Sequence, residues 1–222
     1  MPNYENLEDD IYFDEAKKIE DLDGVWWIKG DSGSWDGPSN DWNTRHRNAI
    51  VQPCIGMART SVVLQAGGNF GVYPKLLSRT FDHVITFEAD RKNFACLAKN
   101  TPESNINKIN AALGDSNRMI SMSENIDQVN RGASRVDYTN PKGMIPTFLI
   151  DQLGLMQLDL LWLDIEASEP IAIRGAKATI ERCKPLIIAL ESADQPTQDY
   201  LGSVGYEFIE NSVSDKVYRF KG

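Results

Sequence analysis

Residues 61–73 run Ser61-Val62-Val63-Leu64-Gln65-Ala66-Gly67-Gly68-Asn69-Phe70-Gly71-Val72-Tyr73, SVVLQAGGNFGVY. A β-branched, apolar start gives way to glycines and then to a helix opening, the signature of a strand–turn–helix unit. Such a unit commonly receives a nucleotide, because the turn exposes backbone amides at a helix N-terminus. A dinucleotide fingerprint requires G-x-G-x-x-G, whereas the glycines at 67, 68 and 71 fit only G-G-x-x-G. Glycine supplies positive φ and close approach, and Asn69 tolerates the same backbone region. A tight connection without a ligand is the plainer alternative. Glu88 strengthens the nucleotide reading, because it ends the next strand-like run, HVITFE, 21 residues after Gly67. An acid there can accept from both ribose hydroxyls, although a solvated strand-end carboxylate would look the same.

Outward from this unit the pattern alternates. SVVLQA predicts a strand, residues 70–79 a helix, HVITFEA a strand and residues 91–100 a helix. INKINAAL reads as a third strand, residues 117–142 as an ambiguous polar stretch suited to a hairpin, and 148–153 as a short helix. LDLLWLD is a buried strand, 170–182 a helix, PLIIALE another buried strand and 196–203 a short helix, with YEFIEN and KVYRF closing as a hairpin. Continuously apolar strands alternating with helices predict an α/β fold, a parallel sheet covered on both faces. Ligands of such sheets bind beyond the carboxyl ends of the strands.

The chain has 222 residues, of which 41% are hydrophobic, enough for one domain with a sizeable core. A formal net charge of −9 with no basic cluster argues against a nucleic-acid partner. No apolar run approaches the roughly 20 residues of a membrane span, and the acidic start MPNYENLEDD resembles no signal or transit peptide. Three scattered cysteines, Cys54, Cys96 and Cys183, point to a reduced, cytoplasmic protein without disulfides or zinc.

Residues 1–55 read as an acidic, Trp-rich extension packed on a core domain of residues 56–222. A short helix is expected near 14–22, an irregular arm over 24–41, and a helix over 41–51 with Trp42, Arg45, His46, Ala49 and Ile50 on one face. Four of the five tryptophans lie between Val25 and Asn43, an apolar area too large to leave in water.

VVLQAGGNFGVY, ITFEAD, INAALGD, LDLLWLDIEASEPIAIRGA and PLIIALE together resemble the successive motifs of the FkbM family of S-adenosylmethionine-dependent methyltransferases. The likeness runs from Ser61 to Glu191, with Leu158–Ala176 its most specific part. It implies the Rossmann-like class I methyltransferase fold, a seven-stranded, mostly parallel sheet with helices on both faces and the last strand antiparallel. It also implies S-adenosyl-L-methionine as cofactor. Gly67, Gly68, Asn69 and Gly71 would wrap its methionine and ribose part, Glu88 would hold the ribose hydroxyls, and Ala111, Ala112 and Asp115 would lie beside the adenine. Gln65 departs from the family's usual aspartate: it keeps an acceptor for the cofactor but supplies no charge. Ala167 and Ser168 depart from a glycine-containing motif, and Ser168 can cap the following helix.

Asp164 closes its strand and Glu166 follows two residues later. As helix-start acids they would gain only about 0.3–1 kcal/mol from the macrodipole. As site residues, Asp164 could accept from the cofactor's ammonium and Glu166 could orient or deprotonate an acceptor hydroxyl, with Glu191 a further catalytic candidate. Arg45 and His46 are candidate substrate contacts. His83, Met119, Met122 and Met144 read as framework residues. Asp164, Glu166 and Glu191 offer oxygen ligands suited to magnesium or calcium, but spacing alone does not specify a metal, and none is assigned. The leading expectation is O-methylation of a small molecule or sugar hydroxyl. A catalytically silent S-adenosylmethionine-binding protein and a nicotinamide-dependent oxidoreductase are the alternatives.

Overall fold

The structure, a computed structural model, describes residues 10–15, 24–31, 50–51, 54, 59–123, 130–140, 142–212 and 215–222. Strands are β1 (Ile11–Asp14), β2 (Val25–Ile28), β3 (Val62–Ala66), β4 (His83–Phe87), β5 (Ile106–Ile109), β6 (Ala112–Leu113) and β7 (Met119–Met122). They continue with β8 (Val136–Asp137), β9 (Ile145–Phe148), β10 (Leu160–Leu163), β11 (Ile187–Leu190), β12 (Tyr206–Ser212) and β13 (Asp215–Phe220). The described helices are α1 (Val72–Leu77), α2 (Arg91–Asn100), α3 (Glu169–Arg174), α4 (Lys177–Cys183) and α5 (Gln195–Ser203).

Seven strands form the main sheet in the order β12-β13-β11-β10-β3-β4-β5. All neighbours from β11 through β5 are parallel, and only β13 runs against its neighbours. The chain winds one way from β3 to β5 and the other way from β10 to β11, so the switch point lies between β3 and β10. This is the Rossmann-like, seven-stranded and mostly parallel sheet that the resemblance implied, with its antiparallel final strand.

The period-two alternation of the strands sorts the core into two layers. Leu64, Leu161, Leu163, Ile188 and Leu190 face Ala172, Ile173, Ile180 and Leu201 of the later helices. Val63, Leu160, Trp162, Ile187 and Ala189 face Leu77, Phe81, Ile50 and Val51 on the other side. At the amino ends of the strands, buried Asp159 fastens the sheet by accepting from the Ser61 amide at 2.7 Å, the Val62 amide at 3.0 Å and Arg59 Nε at 2.9 Å.

Three expectations need correcting. INKINAAL is two strands in two sheets: after Ile109, the Asn110 side chain donates to the Glu88 carbonyl at 2.8 Å, and β6 leaves to pair with β9. β6, β7, β8 and β9 make a separate four-stranded sheet, in which the polar 117–142 stretch supplies the antiparallel pair β7–β8. The helix expected over 170–182 breaks into α3 and α4. There Gly175 presses so closely on the Gly114 carbonyl that a Cβ would lie 2.0 Å from its oxygen. The Gly175 carbonyl accepts from the Asp151 amide at 2.9 Å instead of continuing the helix. Finally, Val25–Ile28, expected to be irregular, is a strand paired with β1, where Asp14 also lies. The helices expected over 14–22 and 41–51 fall largely outside the described residues.

Candidate functional site

Four adjacent parallel strands, β11, β10, β3 and β4, end side by side around the switch point. Their next residues are Glu191, Asp164, Gly67 and Glu88, so the strand ends that sequence reading singled out are spatial neighbours.

At the β3 tip, Gly67 (φ 83), Asn69 (φ 45) and Gly71 (φ 96) all occupy left-handed backbone. Gly67 has no alternative residue there, since a Cβ would sit 1.8 Å from the Asp164 carbonyl oxygen. The amides of Gly67 and Gly68 both donate to the Phe87 carbonyl, at 3.0 and 2.9 Å, which locks the turn onto the β4 tip. Asn69 Oδ1 is buried and has no hydrogen-bond partner among the described residues.

Gln65 is fully buried beneath the turn, at 0% exposure. Its amide nitrogen donates to the Ala66 and Gly67 carbonyls at 3.1 and 2.9 Å, while Oε1 accepts from Thr86 Oγ1 at 2.7 Å. Gln65 and Thr86 are register partners on β3 and β4. The glutamine is therefore a polar pin that ties turn to sheet, a task for which a carboxylate lacks the donors.

Glu88 is 8% exposed and oriented by two amides: Asn69 N donates to Oε2 at 2.7 Å and Asp90 N to Oε1 at 2.8 Å. Each oxygen keeps a further lone pair for a ligand hydroxyl. Burial and the neighbouring Asp90 push its pKa up to about 7, against the pull of those amides. The Asn69–Glu88 bond thus links the glycine turn to the acid of the next strand.

On the other side, Asp164, Glu166 and Glu191 each place a carboxylate oxygen within 4.8 Å of the others. Glu166 (φ 54) and Ala167 (φ 69) turn the chain back in left-handed backbone, and the Glu166 amide donates to Glu191 Oε2 at 3.0 Å. Buried Glu169 closes the turn by accepting from the Ile165 amide at 2.8 Å and from the Ser192 hydroxyl. Burial, helped by Asp215, Glu191, Glu166 and Glu169, raises the Asp164 carboxyl well above the usual range. Burial and Glu191 push Glu166 up to about 7, opposed by Arg135, whose guanidinium stands 3.8 Å away. Three oxygens at this separation could also hold a divalent ion.

Ala111 and Ala112 are both buried, Ala111 just before β6 and Ala112 as its first residue. Asp115 is engaged by Arg174 Nη2 at 3.0 Å and Arg118 Nη2 at 3.1 Å. Partial burial would raise it, but the Arg174 hydrogen bond and both guanidinium charges hold it below the usual carboxylate range. Arg45 and His46 lie outside the described residues. Two residues that sequence reading passed over belong to this neighbourhood. Arg135 comes from the polar 117–142 stretch, where no periodicity marked it. Asn110 interrupts an otherwise strand-like run, and that interruption was the available signal.

The profile of the methyltransferase FkbM domain matches residues 65–220. Similar solved structures include methyltransferase FkbM from Methylobacillus flagellatus KT, at 19% identity and TM-score 0.48, covering 75% of this chain and 46% of that one. This chain thus spans less than half of that protein's length. A TehB-like SAM-dependent methyltransferase from Corynebacterium glutamicum is 13% identical at TM-score 0.45, covering 84% of this chain and 90% of that one. The precorrin-6y C5,15-methyltransferase of Geobacter metallireducens is 11% identical at TM-score 0.48, covering 86% and 94%. None of the curated proteins matches the chain.

Proposed function

The chain belongs to the FkbM methyltransferase family, and from that premise we propose that it methylates an oxygen of a small molecule or sugar, using S-adenosylmethionine. The observation that carries this reading is the pairing of the turn with Glu88: an amide-oriented carboxylate 2.7 Å from the Asn69 amide, beside a buried Asn69 Oδ1 that lacks a partner among the described residues. A buried acceptor left unpaired costs about 1–3 kcal/mol, so a donor from a ligand fits there. Glu88 suits vicinal ribose hydroxyls, and the family resemblance sets the base beside Ala111 and Ala112.

When bound, the sulfonium cofactor supplies an electrophilic methyl group. The residues of this chain do the rest. Asp164, at the tip of β10 beside the glycine turn, is the carboxylate we assign to the cofactor's ammonium. Glu166, pushed up to about 7, is matched to removing a proton from a hydroxyl near neutral pH, a contribution of roughly 10²–10⁴-fold. Glu191 accepts from the Glu166 amide and fixes the turn that presents it. In-line positioning in a dry crevice supplies most of the remaining acceleration. Asp115, committed to two arginines, supports the wall beside the base.

The test is incubation of the protein with S-adenosylmethionine and a metabolite extract, followed by mass spectrometry. A product heavier by one methylene, lost in Glu166→Gln, supports the reading. Tight cofactor binding without any product in a broad screen would leave only the silent binder.

A further inference from the structure

The hairpin β1–β2 precedes the matched domain, yet it shares a core cluster with the glycine turn. Ile11, Val25, Trp27 and Ile28 pack with Phe70, Val72 and Cys96. The Trp27 and Phe70 rings lie 4.2 Å apart at 48°. Phe70 sits inside the turn, between Asn69 and Gly71.

One side chain joins the two segments through polar bonds. Asn100, the last residue of α2, is 3% exposed. Its Oδ1 accepts from the Trp26 amide at 2.8 Å. Its Nδ2 donates to the Trp26 carbonyl at 3.0 Å and to the Phe70 carbonyl at 2.9 Å. Both amide hydrogens and the amide oxygen are thereby used, and no ordinary substitution reproduces the set. Lys92 and Asp10 add an ion pair of 2.8 Å between α2 and the start of β1.

The turn needs such support. Residues 67, 69 and 71 all hold left-handed φ values, and Asn69 does so with a Cβ. Backbone of this kind persists only where its surroundings over-determine it. Gly67 and Gly68 are fixed by the Phe87 carbonyl on the sheet side. On the outer side the Phe70 carbonyl has Asn100, and the Phe70 ring has Trp27.

We propose that Asn100 is a positioning residue for the cofactor: with the N-terminal hairpin it braces the glycine turn from outside, holding the Asn69 amide against Glu88 in the receiving shape. The proposal rests on the cofactor reading above and adds a function for the N-terminal extension. Release of the hairpin takes Trp27 off the Phe70 ring and strips Asn100 of its Trp26 partners. With Asn100 no longer held against the Phe70 carbonyl, the turn relaxes away from Glu88.

Calorimetric titration with S-adenosylhomocysteine, paired with amide hydrogen exchange, tests this on the full chain. Asn100→Asp keeps the acceptor for Trp26 but removes both donors; it should bind roughly five- to thirtyfold more weakly. Should Asn100→Asp fail to fold, Trp27→Leu keeps an apolar side chain in the cluster and carries the same comparison. In either variant, Gly67, Gly68 and Gly71 amides should exchange faster while those of β10 and β11 keep their protection. Unchanged affinity in a folded variant, or acceleration spread evenly over the sheet, overturns the brace. The exchange result stands apart from the cofactor: unchanged turn amides overturn the brace even if the wild-type protein binds no S-adenosylhomocysteine, an outcome that would separately remove the cofactor reading.

Discussion

The Glu166 amide donates to Glu191 Oε2 at 3.0 Å, so an acid from the turn after β10 is tied to the acid at the tip of β11. Two carboxylates held this close cannot both ionise readily, and the pair's behaviour with pH follows from that.

If Glu166 takes the acceptor proton, it must be ionised, and kcat/KM should rise with pH through about 7. Asp164, Glu169 and Glu191 are the acids that oppose its ionisation, and Arg135 is the cation that favours it. Arg135→Ala should move this acid limb to higher pH, and Arg135→Lys should move it less. A pH–rate profile in which Arg135→Ala overlays the wild type would refute the electrostatic role.

The same acids are a stability cost at neutral pH. The folded-state values of Glu88 and Glu166 lie near 7, above the ordinary 4.5. Their contribution is therefore fully favourable below about 4.5 and is lost as pH rises through about 7. Glu166→Gln should raise Tm at pH 8, and the difference should vanish at acidic pH. Scanning calorimetry at several pH values checks the trend; a Tm gain that persists unchanged in acid contradicts it.

Gln65 has three bonds beneath the turn, to the Ala66 and Gly67 carbonyls and from Thr86. Gln65→Leu conserves volume but strands those partners. A loss of roughly 2–4 kcal/mol in denaturant titration is expected. A near-neutral result would show that the polar pin contributes little.

Glu88→Ala should weaken S-adenosylmethionine binding by about tenfold or more, since hydrogen bonds to a charged group are worth about 1.5–3 kcal/mol. The variant also frees the Asn69 amide, so turn and ribose contacts fail together. Equilibrium dialysis with labelled cofactor reads the change, and full affinity in a folded variant removes Glu88 from the ribose.

The fold was largely legible because its strands are short, apolar and punctuated by glycine. LLWL and IIAL could only be buried parallel strands, and the strand-end positions of Glu88, Asp164 and Glu191 followed from that. What misled was tertiary contact. Gly175 breaks a helix because another backbone lies against it, and Asn110 ends a strand because it caps the Glu88 segment. No local propensity encodes either. Gln65 looked like a weakened ligand from its residue type, while its surroundings make it a structural pin. Arg135 and Asn100 act through partners 31 and 30 residues away, Glu166 and Phe70. Nothing in a single sequence announces such a pairing.

The central claim is that the nucleoside lies across the tips of β3 and β4. A crystal structure with S-adenosylhomocysteine tests it most directly. Both ribose hydroxyls should lie within hydrogen-bonding distance of Glu88, with the amino-acid tail along Gly67–Gly71 toward Asp164. A nucleoside bound elsewhere, with Glu88 facing no ligand, would contradict the account.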